Sequence, residues 1–180
     1  VSTSNTRTIS LDPGVRKFLV GYDPAGSVSY IGDKAGFVLS KYLYDIDKLS
    51  RKQDDFWLRD VLYGRVKNLV NELHWKTINY LVRNYDTILY PDYRVSQMVK
   101  GTKLPRIIKR LMYMFSTYSF KQKLIWKCKA YRKNLVIVDE SYTSKTCGIC
   151  GLINRDLGGS EVFCCKKCCI PIDRDAHAAR

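Results

Sequence analysis

Three short runs of apolar residues near the start of the chain, bounded by polar and turn-forming residues, predict three short β-strands. These runs cover residues 7–11 (RTISL), 17–22 (KFLVGY) and 27–31 (SVSYI). The second and third runs are separated by DPAG at residues 23–26, a sequence typical of a tight turn. Because short turns join antiparallel neighbours, the pattern predicts a three-stranded antiparallel meander.

Helical periodicity begins at about Leu39, where Leu43, Ile46 and Leu49 fall at helical intervals. After a polar break the apolar residues recur every three or four positions, at Leu58, Leu62, Val66, Leu69 and Leu73. The pattern predicts a pair of helices, the second of them long and ending at residues 84–86. His74 has no Cys or His at ligand spacing, so we interpret it as a structural residue.

The next apolar run predicts a fourth strand at residues 87–90, which ends at Pro91 and Asp92. A loop containing Gly101 follows, and Pro105 is well placed as the first residue of one further helix. The predicted buried side of that helix consists of Ile108, Leu111, Phe115, Tyr118, Ile125, Cys128 and Tyr131. Residues 134–138 (NLVIV) then predict a buried strand, with Asp139 and Glu140 at its end.

Charge is concentrated in one segment of the chain. The formal net charge is +14, and residues 100–133 contain eleven Lys and Arg residues but no acidic residue. Tyr113, Phe120 and Trp126 are interleaved with these cations. A solvated basic face is the ordinary explanation, but the complete lack of acids favours binding to a polyanion such as DNA, by counterion release and aromatic stacking. The candidate binding residues are Lys121, Lys123, Lys127 and Lys129.

Two C-x-x-C pairs, Cys147 with Cys150 and Cys165 with Cys168, have the spacing of a zinc ribbon. Four thiolates suit a closed, structural Zn²⁺ site. Cys164 and Cys169 flank the second pair, so the spacing leaves open the choice between Cys164 and Cys165 and between Cys168 and Cys169 as ligands. Disulfides are the alternative, but no signal peptide opens the chain, so we expect an intracellular protein with reduced cysteines. No apolar run is long enough to cross a bilayer, so we expect no membrane partner.

Acidic residues are predicted at the ends of several strands and at the start of the last helix. Asp12 stands where the first strand yields to a Pro-Gly turn, and Asp173 and Asp175 follow the second cysteine pair. This order of elements predicts an RNase H-like α/β fold, whose mixed sheet gathers such carboxylates into one site for two Mg²⁺ ions. We expect a nuclease-like core at residues 1–142, the zinc ribbon at 143–172 and the start of a final helix at 173–180.

Four stretches together resemble a known family. They are DPGVR at 12–16, YTSKTCGICG at 142–151, the knuckle around Cys165 and Cys168, and DRDAHAAR at 173–180. They are similar to the RuvC nuclease half of the TnpB proteins, transposon-encoded RNA-guided DNA endonucleases whose eukaryotic and viral relatives are called Fanzor. The resemblance implies that Asp12 is the first catalytic acid and Asp175 the last. His177 occupies the position where the family usually has asparagine.

The middle catalytic acid departs from the commoner family pattern. Many TnpB proteins carry a glutamate at the end of the fourth strand, but Pro91 occupies that position here. Fanzor-like members instead use a glutamate just ahead of the TSKTC motif, which Glu140 matches. The resemblance therefore implies Glu140 as the middle acid, with Asp92 as the runner-up.

The family also has an N-terminal half that grips guide RNA, whereas this sequence starts almost at the first strand. We therefore expect guide RNA to bind through a longer protein of which this chain is a part or a decayed copy. Two functional classes stay open. The chain is either the Mg²⁺-dependent DNA-cleaving half of such an enzyme or a catalytically silent zinc-ribbon module that binds nucleic acid.

Overall fold

A computed structural model describes residues 6–49, 56–101, 104–139, 146–154, 162–169 and 171–180 of the chain. Its strands are β1 (Thr8–Pro13), β2 (Leu19–Asp23), β3 (Ser27–Ile31), β4 (Thr87–Pro91), β5 (Asn134–Val138), β6 (Val162–Cys164) and β7 (Pro171–Asp173). Its helices are α1 (Ala35–Leu49), α2 (Phe56–Asn84), α3 (Val95–Gly101), α4 (Arg106–Met114), α5 (Thr117–Ala130) and α6 (Arg174–Ala179).

Five strands form one mixed sheet in the order β3-β2-β1-β4-β5. The first three strands pair antiparallel, which confirms the predicted meander, and β4 and β5 run parallel to β1. Strands β6 and β7 pair antiparallel in a separate two-stranded sheet. The predicted mixed α/β architecture is therefore confirmed, with β1 at the centre of the main sheet.

The hydrophobic core lies between one face of this sheet and the helices α1, α2, α4 and α5. β1 and β4 contribute Ile9, Leu11 and Ile88, and each of these side chains is at most 4% exposed. The buried helical residues packed against them include Leu39, Leu43, Val66, Val70, Ile78, Leu81, Leu111, Phe115, Phe120, Leu124 and Cys128. His74 and Cys128 are both buried among these side chains, in agreement with their predicted structural roles.

Helix α6 lies on the opposite face of the sheet, against β1 and β2. Side chains alternate along β1, so Thr8, Ser10 and Asp12 are half-buried on the face away from the core. The Ser10 hydroxyl contacts the carbonyl oxygen of Ala179 in α6. The final helix therefore lies on the same side of the sheet as Asp12.

The basic segment is not the single helix that the sequence pattern predicted. Ser116 adopts a left-handed conformation (φ 47°, ψ 49°) between α4 and α5, and α3 occupies part of the predicted loop before them. This break rotates the helical phase. Phe120, expected among the surface cations, is fully buried, whereas Tyr118 and Tyr131, expected to be buried, are 73% and 50% exposed.

The prediction that β5 is a buried strand was wrong. β5 lies at the edge of the sheet, and its Val136 and Ile137 side chains are 37% and 41% exposed. A short apolar run predicts a strand but does not determine its place in the sheet. Leu135, paired with Ile88 of β4, packs against the core instead.

Candidate metal centres and their neighbourhood

The sulfur atoms of Cys147, Cys150, Cys165 and Cys168 all lie within 4.8 Å of one another. A tetrahedral site with Zn–S bonds of about 2.3 Å requires sulfur atoms about 3.8 Å apart. The sulfur atoms of Cys150 and Cys165 are 3.6 Å apart, which fits this requirement. The four side chains could therefore hold a metal ion such as zinc, and all seven cysteines of the chain are free of disulfides.

Both cysteine pairs are shaped by the same kind of turn. The amide of Gly151 donates to the carbonyl of Cys147, and the amide of Cys169 donates to that of Cys165, each at 2.8 Å. Gly151 and Cys169 have positive φ angles of 71° and 53°. Cys169 therefore closes its knuckle as a turn residue, and both it and Cys164 are exposed and lie outside the sulfur cluster.

Backbone amides in the knuckles point at the sulfur atoms. The amides of Cys168 and Lys167 donate to the Cys165 sulfur and lower the pKa of that thiol to about 6. The pKa of Cys147 is lowered for the same reason, by the amides of Cys150 and Ile149. Hydrogen bonding from Cys168 to Cys150 raises the pKa of Cys168 to about 12. The fold thus favours thiolates, the form that binds metal, at one cysteine of each pair.

Helix α6 is attached directly to this cysteine module. The His177 ring stacks on Phe163 of β6 with the centroids 4.0 Å apart, and both side chains are at most 3% exposed. His177 Nε2 lies 2.8 Å from the carbonyl oxygen of Thr146, beside the first cysteine pair. His177 therefore provides the local hydrogen bonding at the position where the family resemblance implies asparagine.

Two contacts fix the direction of α6 across the sheet. Asp173, just before α6, lies 3.7 Å from Lys17 Nζ in the connection that follows β1. Near the other end of the helix, the Ala179 carbonyl contacts Ser10 within β1. α6 therefore runs antiparallel to β1, with its first turn at the carboxyl end of that strand.

Asp12 and the backbone of Asp175 both lie at the carboxyl end of β1. Asp12 is the fifth residue of β1, and Asp175 is the second residue of α6. Asp173 instead caps the helix, because its Oδ1 accepts the Ala176 amide at 3.0 Å. Glu140, the third predicted catalytic acid, lies outside the described residues.

The Asp92 carboxylate is held by two cations. Its Oδ1 lies 2.7 Å from Lys121 Nζ on α5, which packs on the core face. Its Oδ2 accepts hydrogen bonds from Arg94. Hydrogen bonds from Lys121 first and Arg94 second hold the pKa of Asp92 below its ordinary value. Asp92 is therefore a carboxylate whose two oxygens are already occupied by cations.

The four candidate nucleic-acid-binding lysines have different surroundings. Lys121 pairs with Asp92, and Lys123 donates to Asn71 and His74, so both cations already contact other side chains of the fold. Lys127 lies 4.6 Å from the ring centroid of the half-exposed Tyr131. Lys129 is exposed. Lys127 and Lys129 are thus better placed to reach an external polyanion.

Sequence reasoning missed the residues that join the parts of the site. Lys17, Phe163 and the capping role of Asp173 were not singled out by the sequence pattern. The segment DRDA has the spacing of a helix N-cap, with Asp173 three residues before Ala176, and this signal could have identified the cap. The Lys17 contact has no sequence signal, because it joins residues from opposite ends of the chain.

Comparison with known proteins identifies relatives of this chain. Residues 118–180 match the family model "Cas12f1-like, TNB domain". TnpB-like protein L79 of Acanthamoeba polyphaga mimivirus is 31% identical over 94% of this chain and 35% of its own length. The CRISPR-associated endodeoxyribonuclease Cas12f1 of Sulfoacidibacillus thermotolerans is 32% identical over 47% of this chain and 20% of its own length.

A solved structure also shares the fold. One chain of a Cas12f1–sgRNA–target DNA complex superposes on 96% of this chain and 48% of its own length, with a TM-score of 0.72 and 21% identity. The protein is therefore a mixed α/β domain that carries a four-cysteine module. It belongs to the TnpB family.

The chain spans about a third of the length of the TnpB-like relative that it matches. Within the described parts of the chain, no helix combines the length and the apolar character needed to span a membrane.

Proposed function

We propose that this chain is the RNase H-like, RuvC-type nuclease half of a TnpB- or Fanzor-like RNA-guided DNA endonuclease. In this proposal Asp12, Glu140 and Asp175 hold divalent metal ions, and the reaction is hydrolysis of a phosphodiester bond in DNA. The observation that carries this proposal is the antiparallel placement of α6, which starts at the end of β1 that bears Asp12.

The chemistry of the donors fits magnesium. Mg²⁺ prefers oxygen ligands, and carboxylates on rigid elements hold it best. Asp12 lies within the central strand, where pairing with Val20 of β2 fixes its backbone. Bound Mg²⁺ would activate a water molecule and stabilise the leaving oxygen. The protein contributes the positions of the carboxylates, because β1 and α6 are held together by the Ser10 and Lys17 contacts.

The four-cysteine module is proposed to hold one structural Zn²⁺ ion. Four thiolates complete a tetrahedron and leave no position open for substrate. The module would therefore stabilise α6 through His177 and Phe163 rather than take part in cleavage. The proposed division of the chain is a nuclease core at residues 1–142, a zinc ribbon at 143–172 and the start of the final helix at 173–180.

Nucleic acid is the proposed partner of the basic segment. Eleven cations without an acid between residues 100 and 133 supply the electrostatic attraction, and Lys121, Lys123, Lys127 and Lys129 are its candidate contacts. The related Cas12f1 structure is a complex with an sgRNA and a target DNA. For this chain we propose DNA as the substrate and a guide RNA bound through a longer protein.

Cleavage by the complete protein with its guide RNA and Mg²⁺ tests this function. Asp12→Asn and Glu140→Gln should abolish nicking of the target while DNA binding is retained, because each removes a charged metal ligand. Asp92→Asn is the matched control and should retain much of the activity, since Lys121 and Arg94 already occupy its carboxylate.

Loss of cleavage in the Asp92 variant, together with retained cleavage in the Glu140 variant, would contradict this assignment of the middle acid. Complete lack of Mg²⁺-dependent cleavage by the unaltered protein, with DNA binding intact, would favour the catalytically silent nucleic-acid-binding module.

A further inference from the structure

A cavity lies between α2 and the junction of α4 and α5. Its volume is about 510 Å³, enough for a small organic ligand. The lining includes two lysines, Lys67 and Lys123, which come from α2 and α5 respectively. Of the described residues that line this cavity, none is Asp or Glu. The cavity therefore presents positive charge without an acidic counter-charge.

Lys123 is held in this cavity by two neutral acceptors. Its Nζ lies 2.6 Å from Asn71 Oδ1 and 3.3 Å from His74 Nδ1. His74 is 1% exposed, and its Nε2 lies 2.8 Å from the carbonyl oxygen of Phe115. Because a carbonyl oxygen can only accept, Nε2 carries the proton and Nδ1 accepts from Lys123. The ammonium is thus fixed in position by hydrogen bonds that leave its charge unneutralised.

The Lys123 side chain is partly buried, whereas most lysines are exposed. Desolvation lowers the pKa of Lys123 below its ordinary value, and desolvation also lowers the pKa of His74 to about 4. His74 therefore stays neutral at physiological pH, and its Nδ1 remains free of a proton and can accept from Lys123. An anion that enters the cavity would relieve the cost of holding a partly dehydrated cation.

The remaining lining groups suit a phosphate ester. Ser119 adds a hydroxyl donor to the cavity that the two lysines line, and several donors around one anion match the several oxygens of a phosphate. Tyr63 at the same cavity is 46% exposed, so its ring offers a face on which a base can stack. A nucleotide combines the phosphate and the base that these groups recognise.

We propose that this cavity is a nucleotide-phosphate site, in which Lys123 and Lys67 bind the phosphate and Tyr63 supports the attached base. The nucleotide is either free or part of a nucleic-acid strand. The proposal rests on the proposed nucleic-acid binding of the basic segment. It places one contact in the cavity between α2 and α5 rather than on the exposed face of α5.

Titration of the purified chain with three probes tests the proposal. The probes are thymidine 5′-monophosphate, thymidine without phosphate, and a twelve-residue oligothymidylate, followed by NMR shifts or fluorescence anisotropy. Lys67→Gln and Lys123→Gln should each weaken binding of a phosphate-bearing probe by about tenfold or more, the usual value of a hydrogen bond to a charged group.

The matched control is Lys76→Gln. Lys76 lies on the same helix as Lys67 but pairs with Glu72 at 2.6 Å and does not line the cavity, so its variant should bind like the unaltered chain. Lys67 is exposed and its variant should fold normally, which keeps the test decisive even if Lys123→Gln destabilises the core.

Weakened binding of the mononucleotide supports a site for free nucleotides, and weakened binding of the oligonucleotide alone supports a site for a strand phosphate. Equal binding by thymidine and its phosphate, or equal effects of all three lysine variants, would overturn the proposal. If Lys127→Gln with Lys129→Gln weakens oligonucleotide binding but Lys67→Gln and Lys123→Gln do not, the pocket is refuted while the proposed function stands.

Discussion

The His177 ring lies nearly parallel to the ring of Phe163, with an interplanar angle of 15° and a centroid distance of 4.0 Å. This pair joins the helix that carries Asp175 to the strand that ends at Cys164, directly before Cys165. The cysteine module and the acidic helix therefore form one packed unit, so loss of order in the module should spread to α6.

His177→Ala should lower the free energy of unfolding by about 2 kcal/mol, because it removes an aromatic pair and the hydrogen bond to the Thr146 carbonyl. Thermal or urea denaturation measures the loss, and hydrogen exchange should be faster in α6 than in β1. Ile149→Ala is a suitable control, since that side chain is 52% exposed on the same module. Equal protection of α6 in the two variants would contradict the coupling.

One zinc ion per chain is expected in protein purified without chelators, as measured by elemental analysis. Cys147→Ser and Cys168→Ser should lose the metal and loosen the C-terminal region, because metal binding and folding of such modules are coupled. Cys164→Ser and Cys169→Ser should retain it, since both side chains lie outside the sulfur cluster. Retention of zinc in the first pair of variants would refute the proposed ligand set.

Acid should destabilise the chain through His74. Burial lowers the pKa of His74 from 6.5 to about 4, so the unfolded chain binds a proton between these values while the folded chain does not. The stabilising contribution is complete above pH 6.5 and is lost as the pH falls towards 4, by an amount on the order of 3 kcal/mol.

Urea denaturation at pH 7 and pH 4 measures this loss. In His74→Gln the amide can still donate to the Phe115 carbonyl and accept from Lys123, but it does not titrate. The drop in stability between the two pH values should therefore be smaller in the variant, and an equal drop would show that another group is responsible.

Neutralising Lys127 and Lys129 of α5 should change nucleic-acid binding more than stability. Lys127→Gln with Lys129→Gln should flatten the dependence of log K on log salt by about one unit for each phosphate that the variant no longer neutralises, for all sequences alike. Lys121→Gln and Lys123→Gln should also destabilise the fold, because these cations contact Asp92 and His74. An unchanged salt slope in the first variant would mean that the α5 face is only solvated.

Much of the fold could be predicted because local patterns coincide with the final structure. The short apolar runs and the DPAG turn determine the meander, and the long apolar repeat determines α2. The break at Ser116 was not predicted, because left-handed residues are usually Gly or Asn and this one is Ser. The edge position of β5 depends on which strands pair, and no local pattern in NLVIV specifies that.

As with the fold, only part of the candidate site could be predicted from the sequence. The cysteine spacing predicted a cluster whose sulfur atoms the fold does bring together. The contacts of Lys17 with Asp173 and of His177 with Phe163 could not be predicted, since they depend on how α6 docks on the sheet. The contacts of Lys121 with Asp92 and of Lys123 with His74 could not be predicted either, because the break at Ser116 changes the helical phase of the basic segment.

Anomalous diffraction from crystals soaked in Mn²⁺ tests the proposed nuclease centre most directly. The account predicts manganese bound to the carboxylates of Asp12 and Asp175, with a second ion about 3.5–4 Å away and Glu140 as a further ligand. Manganese bound at Asp92 instead, or no manganese near Asp12 at concentrations that saturate two-metal nucleases, would contradict it.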